Sequence, residues 1–231
     1  MKRERNILQK NVFPKLRELC MAHGMHFQAI DLRWGISQEA ALDQKSVKIC
    51  LREILRCQNI SPKPNFIVLL GDRYGWQPPP SDIPIEEFIG ILKHLLGDDD
   101  EKNHKRDLLE RWYECDDNAD PTNFFLKPRG EKYKNAENWE PIEKENLNIL
   151  RESVDQMDLE EKNRIKYFAS VTEQEIRKGA LEIEESKEHI FCFFRSIEGL
   201  PNDETAKDFI DLNQEKRRDK DSAKQLEKLK D

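Results

Sequence analysis

The chain has 231 residues, of which 37% are hydrophobic and 37% charged, with a formal net charge of −7 at pH 7. That length suits one large domain or one domain with a sizeable insertion, and the low apolar share predicts a compact core plus long solvated helices or mobile segments. The acidic balance argues against nonspecific nucleic-acid binding, and no apolar run approaches the roughly 18–20 residues that would span a bilayer.

In chain order, Arg3 to His23 reads as a helix, with Ile7, Leu8, Val12, Leu16, Leu19 and Cys20 near one face. Pro14 is placed to kink or divide it, and Gly24 to end it. A strand is predicted from Met25 to Leu32, then a helix over 38–58 carrying Ala40, Ala41, Val47, Leu51, Ile54 and Leu55 as an apolar stripe. Pro62 and Pro64 lead into a second strand, Asn65 to Leu70, whose unbroken apolar run predicts burial on both faces. Beyond Pro78-Pro79-Pro80 the chain has no clear strand and shows helical patterns near 84–96, 103–115, 141–157 and 158–167. This stretch is read as a largely helical insertion, about 78–168. A helix over 172–186 and a third strand, His189 to Arg195, restore α/β order. The charged tail over 201–231 reads as exposed helix or linker. No phosphate loop and no internal repeat is present.

The predicted class is α/β: an open parallel sheet of flavodoxin-like type with a large helical insertion, the α/β domain occupying 1–200. Starting on a helix and then alternating regularly, the pattern lacks the first strand that such a sheet places near its middle.

Both early strands end in polar, glycine-containing turns, Asp31-Leu32-Arg33-Trp34-Gly35 and Gly71-Asp72-Arg73-Tyr74-Gly75-Trp76. Parallel strands would bring both turns to the carboxyl edge of the sheet, where open α/β sheets bind ligands. Arg33, Trp34, Gly35, Asp72, Arg73, Tyr74 and Trp76 are therefore the candidate ligand-binding residues. The arginines suit an anionic group, or pair with Asp31 or Asp72 to pin their own turns. The aromatics suit stacking on a base, or cover the sheet end. Gly35, Gly71 and Gly75 fit turn geometry.

The five cysteines are odd in number and form no CxxC pair, and no histidine stands at ligand spacing from two of them. Buried free thiols in a reducing compartment, and no metal site, are expected. The histidines are scattered and form no hydrolase-like motif. With no membrane span and no apolar run after the basic N-terminus, a cytoplasmic location is expected.

The chain resembles the N-terminal domain, considered distantly TIR-like, of large STAND-type signal-transduction ATPases with NACHT modules. These include the telomerase-associated protein, nephrocystin-like proteins and NACHT proteins with WD repeats. The resemblance rests on Glu4-Arg5, Val12 to Arg17, Asp31 to Ile36, Leu70 to Trp76, Trp112-Tyr113 with Asp117-Asn118 and Pro121, Thr172 to Ile176, and Phe191 to Arg195. Members begin with a strand that would lie just upstream of Met1, and a NACHT-type module would follow residue 231. The resemblance implies a signalling or adaptor domain that works through protein–protein contacts, including self-association, without a cofactor and without nucleic-acid or membrane partners. It implies a second reading too: a nucleotide or NAD hydrolase with NAD as substrate, using Glu173 or Glu175 as the helix-borne catalytic carboxylate of TIR-type enzymes together with Arg33 and Arg73. The Ser/Cys-rich segment that precedes that glutamate in TIR-type hydrolases is absent. Against catalysis stands the local sequence Ser170-Val171-Thr172-Glu173, which is a capping box.

Overall fold

The computed structural model describes residues 1–31, 41–97 and 99–231. α1 (Lys2–Ile7) passes through a π-helical stretch, Leu8–Val12, into α2 (Phe13–Ala22), with Pro14 in the first turn of α2. α3 (Ser46–Ile60) precedes β1 (Phe66–Leu70). Then come β2 (Asp82–Pro84), α4 (Ile85–His94), α5 (Asp100–Trp112), β3 (Tyr113–Asp116) and β4 (Asn123–Leu126). α6 (Ala136–Val154), α7 (Glu161–Phe168) and α8 (Val171–Ile176) follow, and α8 runs on into a π-helical turn, Arg177–Leu181. α9 (Ser186–His189), β5 (Ile190–Phe194) and α10 (Lys220–Lys230) complete the chain.

These elements fall into two compact units. One draws on the described residues of Met1–Ile36, Ser61–Tyr74 and Glu184–Asp231; the other draws on those of Ser37–Ile60 and Gly75–Ile183.

The first unit holds the parallel sheet, in which β1 pairs with β5 in the register Phe66↔Ile190 to Leu70↔Phe194. The helix α2 stops at Gly24, whose φ of +71° only glycine adopts freely. There the Met25 amide donates to the Cys20 carbonyl at 2.8 Å and the Gly24 amide to Met21 at 3.1 Å, a Schellman ending. Neither α1 nor α2 has a buried residue. Among the described residues of this unit, buried apolar side chains are few: Val68 and Leu70 on β1, Tyr74 in the following turn, and Ala206, Ile210 and Leu226 in the C-terminal stretch.

The second unit carries the main hydrophobic core. Ile83, Phe88, Ile91, Leu109, Leu150, Val154 and Tyr167 are all completely buried. The Phe88 ring stacks on Phe124 at 4.1 Å, and Trp112 meets Trp139 edge to face at 4.8 Å, an arrangement aromatic quadrupoles favour. One carboxylate lies inside this core. Glu87 accepts from the Tyr167 hydroxyl at 2.8 Å and pairs with the Lys166 ammonium at 2.7 Å, so its buried charge is compensated.

Several expectations are corrected. Of the predicted strand over Met25 to Leu32, residues 25–31 are in no strand and Met25 and Ile30 are exposed, while Leu32 lies outside the described residues. An extended segment becomes a strand only when a neighbour takes up its backbone groups, and among the described residues no strand pairs with this one. The stretch expected to lack strands contains a three-stranded antiparallel sheet, β2-β4-β3. Its strands are three or four residues long, too short for alternation to register, and Tyr113 to Cys115 fall at the end of the helical pattern near 103–115. β1 is not buried on both faces: Val68 and Leu70 are buried, whereas Ile67, which points to the opposite face, is exposed. The helix expected over 172–186 stays α-helical only to Ile176 and then widens into the π-helical turn that holds Gly179. The stretch expected as an exposed tail buries Ala206, Ile210 and Leu226.

Candidate functional site

Of the candidate residues, Arg33, Trp34 and Gly35 lie outside the described residues. The others fall in both units. Asp72, Arg73 and Tyr74 belong to the first, Trp76, Glu173 and Glu175 to the second.

In the first unit the turn after β1 is organised by a residue that sequence reasoning missed. Asp211 accepts from the Tyr74 amide at 2.6 Å and from the Arg73 guanidinium at 3.5 Å. Arg73 is thus tied to a carboxylate from the C-terminal stretch, not to its neighbour Asp72, while half of its side chain remains in solvent. Tyr74 is buried, and Asp72 keeps one carboxylate oxygen, Oδ2, buried without a hydrogen-bond partner.

The residue after β5 is handled the same way. The Arg195 amide donates to the Leu70 carbonyl at 2.8 Å, extending the ladder by one step. Its guanidinium pairs with Glu4 at 2.6 Å and lies over the Phe209 ring at 5.8 Å. The Glu4 backbone amide, and then the Arg195 guanidinium, hold the Glu4 carboxyl below its ordinary pKa against the opposing effect of burial. Arg5 pairs with Asp31 at 3.6 Å. The carboxyl ends of both parallel strands are therefore lined with ion pairs made inside the unit. The sequence signal for them was only the charge itself, since their partners are 138 and 191 residues away.

In the second unit Trp76 is 46% exposed, and its indole nitrogen donates to Glu143 Oε2 at 3.0 Å. The other oxygen of Glu143 accepts from the Trp139 indole at 2.8 Å, so one carboxylate fixes two indoles. The Trp76 carbonyl accepts from the Val171 amide at 3.0 Å, which locks the turn to the start of α8. Gly75 has a φ of +101°, and a β-carbon there would lie 3.4 Å from Thr172 Oγ1.

The start of α8 is a cap. Ser170 is fully buried and its hydroxyl accepts from the Glu173 amide at 3.1 Å. The Glu173 carboxylate accepts from Arg177 Nε at 2.7 Å, one turn along. Glu175 faces the buried Cys50 of α3. Burial, and then the Glu175 carboxylate, push the Cys50 thiol up to about 12. The two carboxylates proposed for catalysis are thus engaged with an arginine and with a protonated thiol. Among the described residues no cluster of metal-ligating side chains occurs, and no helix is long and apolar enough to cross a membrane.

Comparison with known proteins adds what this geometry lacks. The chain is 30% identical over 204 residues to mouse NACHT domain- and WD repeat-containing protein 1, covering 87% of this chain and 12% of that protein. It is 33% identical over 178 residues to human NACHT and WD repeat domain-containing protein 2, covering 71% of this chain and 10% of that protein. A shorter match, 37% over 81 residues, links 35% of this chain to 3% of rat telomerase protein component 1. The chain is similar to a NACHT-associated region. It spans about an eighth of the length of the first of these relatives. No protein-family profile matches the chain, and no solved structure matches it significantly.

Proposed function

We propose that this chain is an N-terminal signalling and adaptor region of a NACHT-type STAND ATPase, distantly TIR-like, acting in the cytoplasm through protein–protein contacts. The observation that carries this reading is the similarity, over 87% of the chain, to a protein named for its NACHT domain and WD repeats. A chemical argument supports it. Arg73 and Arg195 at the strand ends and Glu173 at the start of α8 are engaged in ion pairs, as turn-holding groups are, whereas large apolar side chains of the first unit stand in solvent. Phe191, Phe193 and Phe194 of β5 are each more than half exposed, and apolar surface of that kind marks contact sites. On this reading the chain turns over no NAD and needs no cofactor, and Glu173 is structural.

The test is quantitative co-capture from cells expressing the chain, comparing the parent with Phe193→Asp and with the surface change Lys162→Glu in the second unit. The reading expects a set of proteins retained by the parent and by Lys162→Glu and depleted at least about tenfold by Phe193→Asp. Equal sets from all three would count against it, as would release of nicotinamide from NAD by the purified parent.

A further inference from the structure

The two-stranded parallel sheet leaves β5 open on one side. Parity of the hydrogen bonds says which groups are left over. His189 offers its carbonyl to Asn65 and Arg195 its amide to Leu70, so odd-numbered residues of β5 direct their backbone groups toward β1. Along a strand these directions alternate, and the N–H and C=O groups of Ile190, Cys192 and Phe194 point to the open side. Among the described residues no strand lies there. The segment Ile-Phe-Cys-Phe-Phe carries no charge, proline or bulge, the devices that normally protect an edge. Four of its five residues are exposed, against one of five in β1.

We propose that β5 pairs, antiparallel and about a two-fold axis through Cys192, with β5 of a second copy of this chain. The inference rests on the protein-contact reading and names the partner. The strand is complementary to itself. Full overlap sets Ile190 on Phe194, Cys192 on Cys192 and Phe194 on Ile190, and each of these is a hydrogen-bonded pair because all three residues point outward. Phe191 then faces Phe193 of the second copy on one side of the sheet, next to Ile67 and Leu69 of β1, which share their face. An isologous contact of this kind closes on itself and does not propagate. Flanking charges do not oppose it: Glu188 is paired with Lys63 at 3.2 Å and Arg195 with Glu4 at 2.6 Å within each copy. Three half-exposed phenylalanines leave on the order of 300 Å² of apolar area per copy. The roughly 600 Å² total falls short of the roughly 1,200 Å² of a stable interface, so the pairing is a weak, concentration-dependent dimer.

Sedimentation velocity of the full chain tests this. The expected mass is 27.4 kDa at about 1 μM, rising toward twice that value at about 100 μM. In a Cys20→Ser, Cys57→Ser, Cys115→Ser background, a short bis-maleimide should join two copies through Cys192, because the paired α-carbons lie about 5.5 Å apart. Cys192→Pro removes an outward N–H and should abolish the rise in mass at about 100 μM while leaving the melting temperature unchanged. Cys192→Lys sets like charges face to face and should do the same without altering the backbone. A constant 27.4 kDa throughout the range would overturn the proposal, and so would a dimer undiminished by Cys192→Lys. A monomer whose captured proteins still depend on Phe193 would reject self-pairing and leave the protein-contact reading standing.

Discussion

Ser170 to Ala and Glu173 to Gln separate a helix cap from a catalytic carboxylate. The Ser170 hydroxyl accepts from the Glu173 amide at 3.1 Å in a fully buried position, so water cannot replace it once it is gone. Loss of an N-cap costs about 0.5–2 kcal/mol, and burial puts this one near the top of the range. For a chain of this size each kcal/mol lowers the melting temperature by roughly 2–4 °C, so Ser170→Ala should melt about 4–8 °C lower. Gln at 173 keeps the backbone amide and an acceptor oxygen for Arg177. It loses only the charge in a partly exposed pair, about 0.5–1 kcal/mol. Thermal and urea melts followed by circular dichroism read both numbers. A Ser170→Ala protein within about 0.5 kcal/mol of the parent would refute the cap. A folded Glu173→Gln protein that loses an NAD-cleaving activity present in the parent would refute the structural assignment of that carboxylate.

Three further outcomes follow from the same structure. Leu150→Ala removes a completely buried side chain from the core of the second unit and should cost about 3–5 kcal/mol in urea unfolding. Glu4 has a depressed pKa in the folded chain, so its contribution is present above the unfolded carboxylate value and is lost as pH falls through the folded one. Glu4→Gln should therefore flatten the stability–pH curve between about pH 5 and pH 3. The Cys50 thiol, pushed up to about 12 by burial and then by Glu175, stays protonated at pH 8. Alkylation at Cys50 should then appear only on unfolding, whereas Cys192 should be modified in the native chain.

The helices of the second unit were legible in the sequence because each carries a stripe of apolar residues at helical spacing, and α4, α5, α6 and α7 lie within a few residues of the predicted patterns. Ser170 and Glu173 also betrayed their cap, since capping is local. What failed was long-range. Phe66 to Leu70 read as a strand buried on both faces because periodicity reports apolar residues and not what covers them. The pairing of Tyr113 to Asp116 with Asn123 to Leu126 was hidden by strands four residues long. Arg33 and Arg73 stood out in the sequence as strand-end charges and Arg195 did not, and no spacing rule connects Arg73 to Asp211 or Arg195 to Glu4, 138 and 191 residues away. The open edge of β5 left no trace in composition, because an apolar strand looks the same whether or not a neighbour covers it.

Residue-resolved amide exchange across β5, at low and high protein concentration, tests most directly whether this edge is the contact surface. The odd-numbered amides of Phe191 and Phe193 face β1 and should be protected at every concentration. Those of Ile190, Cys192 and Phe194 should exchange quickly at about 1 μM and slow by at least about tenfold at about 100 μM as the edge is covered. Outward amides that exchange at the same rate at both concentrations would contradict the account.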